Sequence, residues 1–231
     1  MIISKVDSLL KPGTTVDVIL TGLDRPSKNA KTGPMAQLKF APQDINPVMA
    51  AETGEDLAVC VKNCIHRPLN KVEKEDGSTE GGTCYVDLKR GILSSWKAHQ
   101  GKAVEILTTL KSRAVRFGEW GDPSTVRRAL LDHVISIARR EHRHPRPWTG
   151  YTHDYDKRPD LKDVCMASTD TIADRERAKA NGWRTFRPRP VGAPLLDGEI
   201  DCPYVTRGVQ CADCLLCNGG AHGKDISIEI H

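Results

Sequence analysis

The strongest constraint on the fold is an alternation of strand-like and helix-like segments between residues 114 and 188. AVRFG (114–118) reads as a strand. Asp122 then stands as an N-cap with Pro123 at the first helical position, and a helix is expected over 124–143. Val126, Leu130, Val134, Ile137 and Ala138 fall on one face of it. WTGYTH (148–153) and VCMAST (164–169) read as the next strands. TIADRERAKA reads as a short helix capped by Thr169 or Asp170, and WRTFRP (183–188) as a further strand. Strands that alternate with helices argue for a parallel sheet with crossover connections. Counted from residue 84, where the α/β pattern begins, the stretch is about 110 residues, whereas a complete eight-fold barrel needs roughly 250. The expectation is therefore an α/β fold, either a partial barrel or an open parallel sheet.

Upstream, residues 16–22 and 35–41 read as an N-terminal β-ribbon around the turn DRPSKNAKTGP. The polar run KVEKEDGSTEGG (71–82) reads as a solvated loop. Helices are expected at 85–99 and 102–111. The implied division is a ribbon and loop over 1–59, a cysteine loop plus α/β core over 60–190, and a cysteine-rich tail over 191–231.

The start, MIISKVDSLLKPG, lacks a basic leader, a long apolar run and a small-residue cleavage site. No window approaches a membrane span. A cytoplasmic protein without a membrane partner is expected. In a reducing compartment, clustered cysteines read as metal ligands or redox groups rather than disulfides.

The chain has eight cysteines, and seven fall into two groups. The tail group is Cys202, Cys211, Cys214 and Cys217, with Pro203 directly after the first. Steps of two residues between cysteines let one short loop wrap several corners of a cubane, and a more distant cysteine supplies the fourth thiolate. A [4Fe–4S] cluster is the favoured occupant. Gly208, Gly219, Gly220 and Gly223 are expected to let backbone approach the cluster sulfurs. The rival is zinc on four cysteines, although zinc ribbons more often show two separated CxxC knuckles. The second group is Cys60 and Cys64, followed after 19 residues by Cys84. Three thiolates without an obvious fourth suit a cubane with one open iron, and His66 is a candidate for that position. Cys165 reads as a small buried apolar residue.

Functional groups in parallel α/β folds gather at the C-terminal ends of strands. By that rule Glu119, Asp122, Tyr151, Thr152, His153, Ser168, Asp170 and Arg187 are rim candidates. The structural alternatives are a cap for Asp122, a hydrogen-bonded histidine for His153, and a helix start for Ser168 and Asp170. Arg127, Arg128, Arg139, Arg140, Arg143 and Arg146 lie on or just after the long helix. They would form either a nucleic-acid face or a solvated surface, and a net charge of +4 favours the second. Lys28 and Lys31 are placed to meet an anionic ligand.

KNAKTG, C-x3-C with a later CY, RFGEWGDP, TGYTH, MASTD, GWRTFRP and CP-x7-C-x2-C-x2-C occur here in that order. In this the chain resembles a phage-encoded family of iron–sulfur proteins, itself similar to the radical S-adenosylmethionine (AdoMet) superfamily. The resemblance covers about residues 28–231. It implies a cysteine loop ahead of a barrel-like core, a tail like an auxiliary-cluster domain, and a host-cytosol location. One or two [4Fe–4S] clusters and AdoMet would be the cofactors. Glu119, Asp122, Tyr151, His153, Ser168 and Asp170 would line the cofactor cavity, with an unidentified small-molecule or macromolecular substrate. Radical AdoMet enzymes usually carry C-x3-C-x2-C in one loop, and here a polar insertion displaces the third cysteine. The other functions considered are a non-catalytic iron–sulfur protein of electron-transfer or assembly role, and a zinc-stabilised nucleic-acid-binding module.

Overall fold

The computed structural model describes residues 1–67, 69, 71–73, 79–82, 84, 86–220 and 223–229. Strands β1 (Ile2–Asp7), β2 (Thr15–Thr21) and β3 (Ala36–Pro42) form an antiparallel meander. The expected ribbon is its second and third strands; β1 is an addition. Helix α1 (Pro47–Thr53) starts at Asn46, whose Oδ1 accepts from the N–H groups of Val48 and Met49. The polar run expected to be a loop contains a hairpin, β4 (Lys71–Glu73) with β5 (Thr79–Gly81). A π-helical turn, Leu88–Ile92, leads into α2 (Leu93–His99), so that helix begins later than residue 85.

The core follows with β6 (Val115–Phe117), α3 (Arg128–Glu141), β7 (Trp148–Thr152), β8 (Met166–Ser168), α4 (Ile172–Ala180) and β9 (Thr185–Arg189). The tail contributes β10 (Glu199–Asp201), the short helices α5 (Pro203–Arg207) and α6 (Cys211–Cys214), and β11 (Asp225–Glu229). Among the described residues, nine strands form one open sheet in the order β1-β2-β3-β6-β7-β8-β9-β11-β10. From β3 to β10 every pairing is parallel. The cysteine helices thus lie in the crossover from β10 to β11, and β11 itself enters the sheet beside β9.

β3 and β6, which pair in parallel with each other, are buried along their whole length, as strands covered on both faces are. Helix α3 buries Leu131, Val134, Ile135, Ile137 and Ala138; Leu130 is only partly covered. It starts after a separate 3₁₀ turn at Pro123–Thr125. Thr171, not Thr169 or Asp170, caps α4, accepting from the Asp174 N–H at 3.0 Å.

The helix expected at 102–111 is absent. That segment runs extended beside the edge of the sheet. Val104 bridges Ile2, and the Glu105 N–H donates to the Ile2 carbonyl at 2.8 Å. Glu141 Oε2 accepts from the N–H groups of Leu110 (2.8 Å) and Ser112 (3.2 Å). Backbone donors satisfied by an edge strand and a distant carboxylate leave a lone short helix nothing to gain. Among the described residues no helix is long and apolar enough to cross a membrane.

Candidate metal centres

The four tail cysteines line one small cavity together with Lys31, Thr149, Tyr151, Phe186 and Tyr204. Each is placed by a different local device. Cys202 precedes the Pro203 that opens α5, and its N–H donates to the Ser227 carbonyl of β11 at 2.8 Å. Cys211 and Cys214 stand at the two ends of the single turn α6. Leu215 then adopts a left-handed conformation with φ 50° and turns the chain toward Cys217. The Cys217 carbonyl is held by the Gly150 N–H at 2.9 Å. Cys202 and Cys217 are buried, and Cys211 and Cys214 half-buried.

The turn between β2 and β3 clamps α6 from the far end of the sequence. The Lys31 and Thr32 carbonyls accept from the N–H groups of Cys211 and Ala212, both at 3.0 Å. Gln210 Nε2 donates to the Ala30 carbonyl at 2.8 Å. Asn29 Oδ1 folds this turn by accepting from the N–H groups of Lys31 and Thr32. Gly33, at φ +69°, sits so close that a Cβ there would stand 2.6 Å from Gln210 Oε1. KNAKTG therefore works chiefly as a clamp, although Lys31 does border the cavity. Gly219 serves another purpose than the expected approach to sulfur. A Cβ on Gly219 would stand 2.7 Å from the backbone of Val164 and Cys165, so this glycine lets the tail press onto the core.

Burial pushes the Cys217 thiol up to about 12; Tyr151, whose hydroxyl is hydrogen-bonded to it, opposes the shift. Burial likewise raises Cys211 and Cys214, and the neighbouring sulfurs add to it. Against this, Arg116 and Lys31 favour the thiolate at Cys211. The Leu216 N–H and Arg207 do the same at Cys214. The cavity would thus gather thiolates that repel one another inside a partial ring of cations.

The first cysteine group stands by the C-terminal ends of β6 and β7, where the Asp122 N–H donates to the Val59 carbonyl at 2.6 Å. Cys60 and Cys64 flank a turn in which the Cys60 N–H donates to the Asp56 carbonyl (2.7 Å) and the Cys64 N–H to the Val61 carbonyl (3.1 Å). The Asp56 carboxylate is gripped by the Arg67 guanidinium at 2.8 and 2.6 Å, both groups being buried. The Cys60 thiol is raised well above its ordinary value by burial, then by Asp56, Cys84 and Cys64, which places the three sulfurs within electrostatic reach of one another. Cys84 is raised by burial, opposed by the Val86 N–H.

The rim candidates divide between these two places. Asp122 Oδ1 accepts from the Ser124 N–H (2.8 Å) and Thr152 Oγ1 (2.7 Å), and its Oδ2 accepts from the His153 N–H (2.8 Å). It is both a cap and a tie between strand ends. His153 is hydrogen-bonded to Cys64. Its Nε2 lies 3.4 Å from Asp170 Oδ1, and His66 Nε2 lies 3.3 Å from the same oxygen. Burial lowers the His153 pKa, but Asp170 and Cys64 outweigh it and hold the ring well above its ordinary value. Burial raises Asp170, and the two histidines reverse that to a carboxylate far below its usual range.

Tyr151 does not join this rim. Successive residues of a strand face opposite ways, so Thr152 meets Asp122 while Tyr151 enters the tail cavity and packs against Phe186, the rings tilted at 52° with centres 4.5 Å apart. Glu119 pairs with buried Lys39 at 3.1 Å. Ser168 is buried at the end of β8. Arg187 is taken by Glu199 at 2.7 and 2.6 Å. Cys165 is fully buried, as its sequence context suggested. Asp56 and Arg67 carry no motif, and no pattern in the sequence marks them; Phe186 lies within GWRTFRP, which gives no sign of its place in the cavity.

Most arginines of the long helix have internal partners. Arg128 bonds Asp132 and Asp163, Arg139 lies 5.0 Å from the Trp148 ring, Arg140 reaches the Thr108 carbonyl, and Arg146 reaches the Asn218 carbonyl. Among the described residues no three His, Cys, Asp or Glu side chains are arranged to hold a single metal ion. Comparison with family models, curated proteins and solved structures returns no match.

Proposed function

We propose that this chain is an iron–sulfur protein with a [4Fe–4S] cluster on Cys202, Cys211, Cys214 and Cys217, and a second one on Cys60, Cys64 and Cys84. The observation that carries the reading is the tail cavity: four cysteines from four separate chain positions line one space bordered by cationic groups. A cubane asks for this more than zinc does. Around one zinc ion the four sulfurs would crowd within about 4 Å of each other. Around a cubane each thiolate takes its own iron, so the sulfurs surround a volume rather than a point. Arg116, Lys31 and Arg207 would balance the charge of the thiolates, and the Tyr151 hydroxyl and Leu216 N–H would donate to sulfur.

At the first site three cysteines leave one corner without a thiolate. Such a cluster supplies one-electron chemistry and, where one iron has no cysteine, a position for AdoMet. Asp122, His153 and Asp170 gather at the strand ends beside Cys64. This placement supports a radical-AdoMet-like enzyme, with the chain's own carboxylates and histidines bounding the cofactor. The internal bonds of the arginine helix weigh against a nucleic-acid module.

Anaerobic purification followed by iron, sulfide and zinc analysis tests the reading. Brown protein containing iron and sulfide is expected; colourless protein with zinc and no sulfide would sink it. Reduction with dithionite and addition of AdoMet should then yield 5′-deoxyadenosine. Fully loaded protein that neither cleaves AdoMet nor changes spectrum on its addition would leave the non-catalytic iron–sulfur role.

A further inference from the structure

Cys64 is reached from the side by a residue of a different element. His153 directly follows β7, and its backbone is pinned there by Asp122, which also takes the Thr152 hydroxyl. Its ring contacts both the Cys64 side chain and Asp170, whose carboxylate is itself almost fully buried. His66, two residues beyond Cys64, shares the same Asp170 oxygen at 3.3 Å, and its ring centre lies 6.5 Å from that of His153. One carboxylate therefore anchors two imidazoles, one on the cysteine loop and one on the sheet.

We propose that His153 is the positioning residue of the first cysteine site: its ring N–H donates to the Cys64 sulfur and holds that thiolate toward a bound iron–sulfur cluster, with Asp170 fixing the ring. The proposal rests on the iron–sulfur reading of Cys60, Cys64 and Cys84. A sulfur bound to iron has no proton to give, so in the loaded site the imidazole must be the donor. Partners of metal ligands orient them and tune the metal. An N–H directed at a cluster sulfur stabilises the more negative, reduced state and raises the reduction potential. The hydrogen bond is particular to Cys64: Cys84 feels the same ring only through space and takes its hydrogen bond from the Val86 N–H, and Cys60 has Asp56 and the other two sulfurs as its neighbours.

The test uses the full chain, reconstituted anaerobically with iron and sulfide. Cys64→Ala first identifies the electron paramagnetic resonance signal that belongs to this site. In His153→Ala that signal should shift to a lower midpoint potential while the tail signal stays in place. His153→Gln, which keeps an N–H donor, should recover part of the shift. Asp170→Asn should give a smaller shift in the same direction. If His153→Ala stays folded by circular dichroism but loses the first-site iron, restoration by Gln supports the proposal and failure of Gln to restore it overturns it. An unmoved potential in fully loaded His153→Ala, or equal movement of both signals, also overturns it. A Cys64→Ala protein with unchanged iron and unchanged signals would show instead that the iron–sulfur reading of this site has failed, and the inference with it.

Discussion

The two cysteine groups solve opposite problems. The tail set is short-range in sequence and long-range in support: α6 is clamped by a turn some 180 residues earlier, and Cys202 and Cys217 are tied to β11 and β7. Its walls are largely aromatic and aliphatic, with Lys31 among them and Arg116 acting on Cys211. The first set is spread along the chain and stands among polar, mutually bonded partners, the Asp56–Arg67 pair and the Asp170–His66–His153 group. Four cysteines in a walled cavity suit a closed cluster that stays put. Three cysteines beside polar groups at strand ends suit a site that exchanges a ligand.

The sharpest way to break this comparison is to remove one group and watch the other. Changing Cys211, Cys214 and Cys217 together to Ala should remove about half of the iron if both clusters exist. The Cys64→Ala chain should lose the other half and all AdoMet cleavage, while iron analysis still finds the tail cluster. Loss of all iron in either variant would show that the sites are one cooperative unit.

Smaller effects sharpen the difference in support. Arg187 and Glu199 form a buried bidentate pair between β9 and β10, beneath the tail. Arg187→Ala should destabilise the protein by about 1–3 kcal/mol, because buried Glu199 loses its bidentate partner and keeps only Arg175 at 3.3 Å and the Leu196 N–H at 2.8 Å. Denaturant unfolding measures that, and tail iron should become chelator-labile before first-site iron does. Gly33→Ala places a Cβ in the left-handed region and against Gln210. It should cost roughly 1–3 kcal/mol and loosen only the clamp on α6, read as faster tail-iron loss. Its failure to change tail iron would show that the KNAKTG turn is not a clamp.

The smallest effect is a pH dependence. Burial raises Glu199, but Arg187, the Leu196 N–H and Arg175 outweigh it and leave the carboxylate below its ordinary 4.5. A depressed carboxylate contributes stability above its unfolded pKa and loses it as pH falls through the folded value. Unfolding free energy should therefore decline on acidification below about 4.5, and Glu199→Gln should flatten that slope. An identical slope in the variant would remove Glu199 as the cause.

Sequence periodicity alone determined the parallel core. The strands near 115, 148, 166 and 185 and the α3 helix declare themselves by apolar spacing, since these elements are chosen locally, whereas the Asp122–Pro123 signal starts a separate 3₁₀ turn and not α3 itself. The two cysteine groups were equally legible, because thiols clustered in a chain without disulfide context need a reason. Tertiary structure decided the rest. The 102–111 segment has helical composition, yet it bonds to Ile2 and Glu141, which no local pattern reveals. Tyr151 and His153 stand two residues apart at one strand end, and the turn of the chain after β7 sends them to different sites. Asp170 could have capped a helix; Thr171 took that place and left the carboxylate to two histidines 104 and 17 residues away along the chain. Which partner a polar side chain takes depends on what the sheet brings beside it, and that is fixed by strand order rather than by neighbours in sequence.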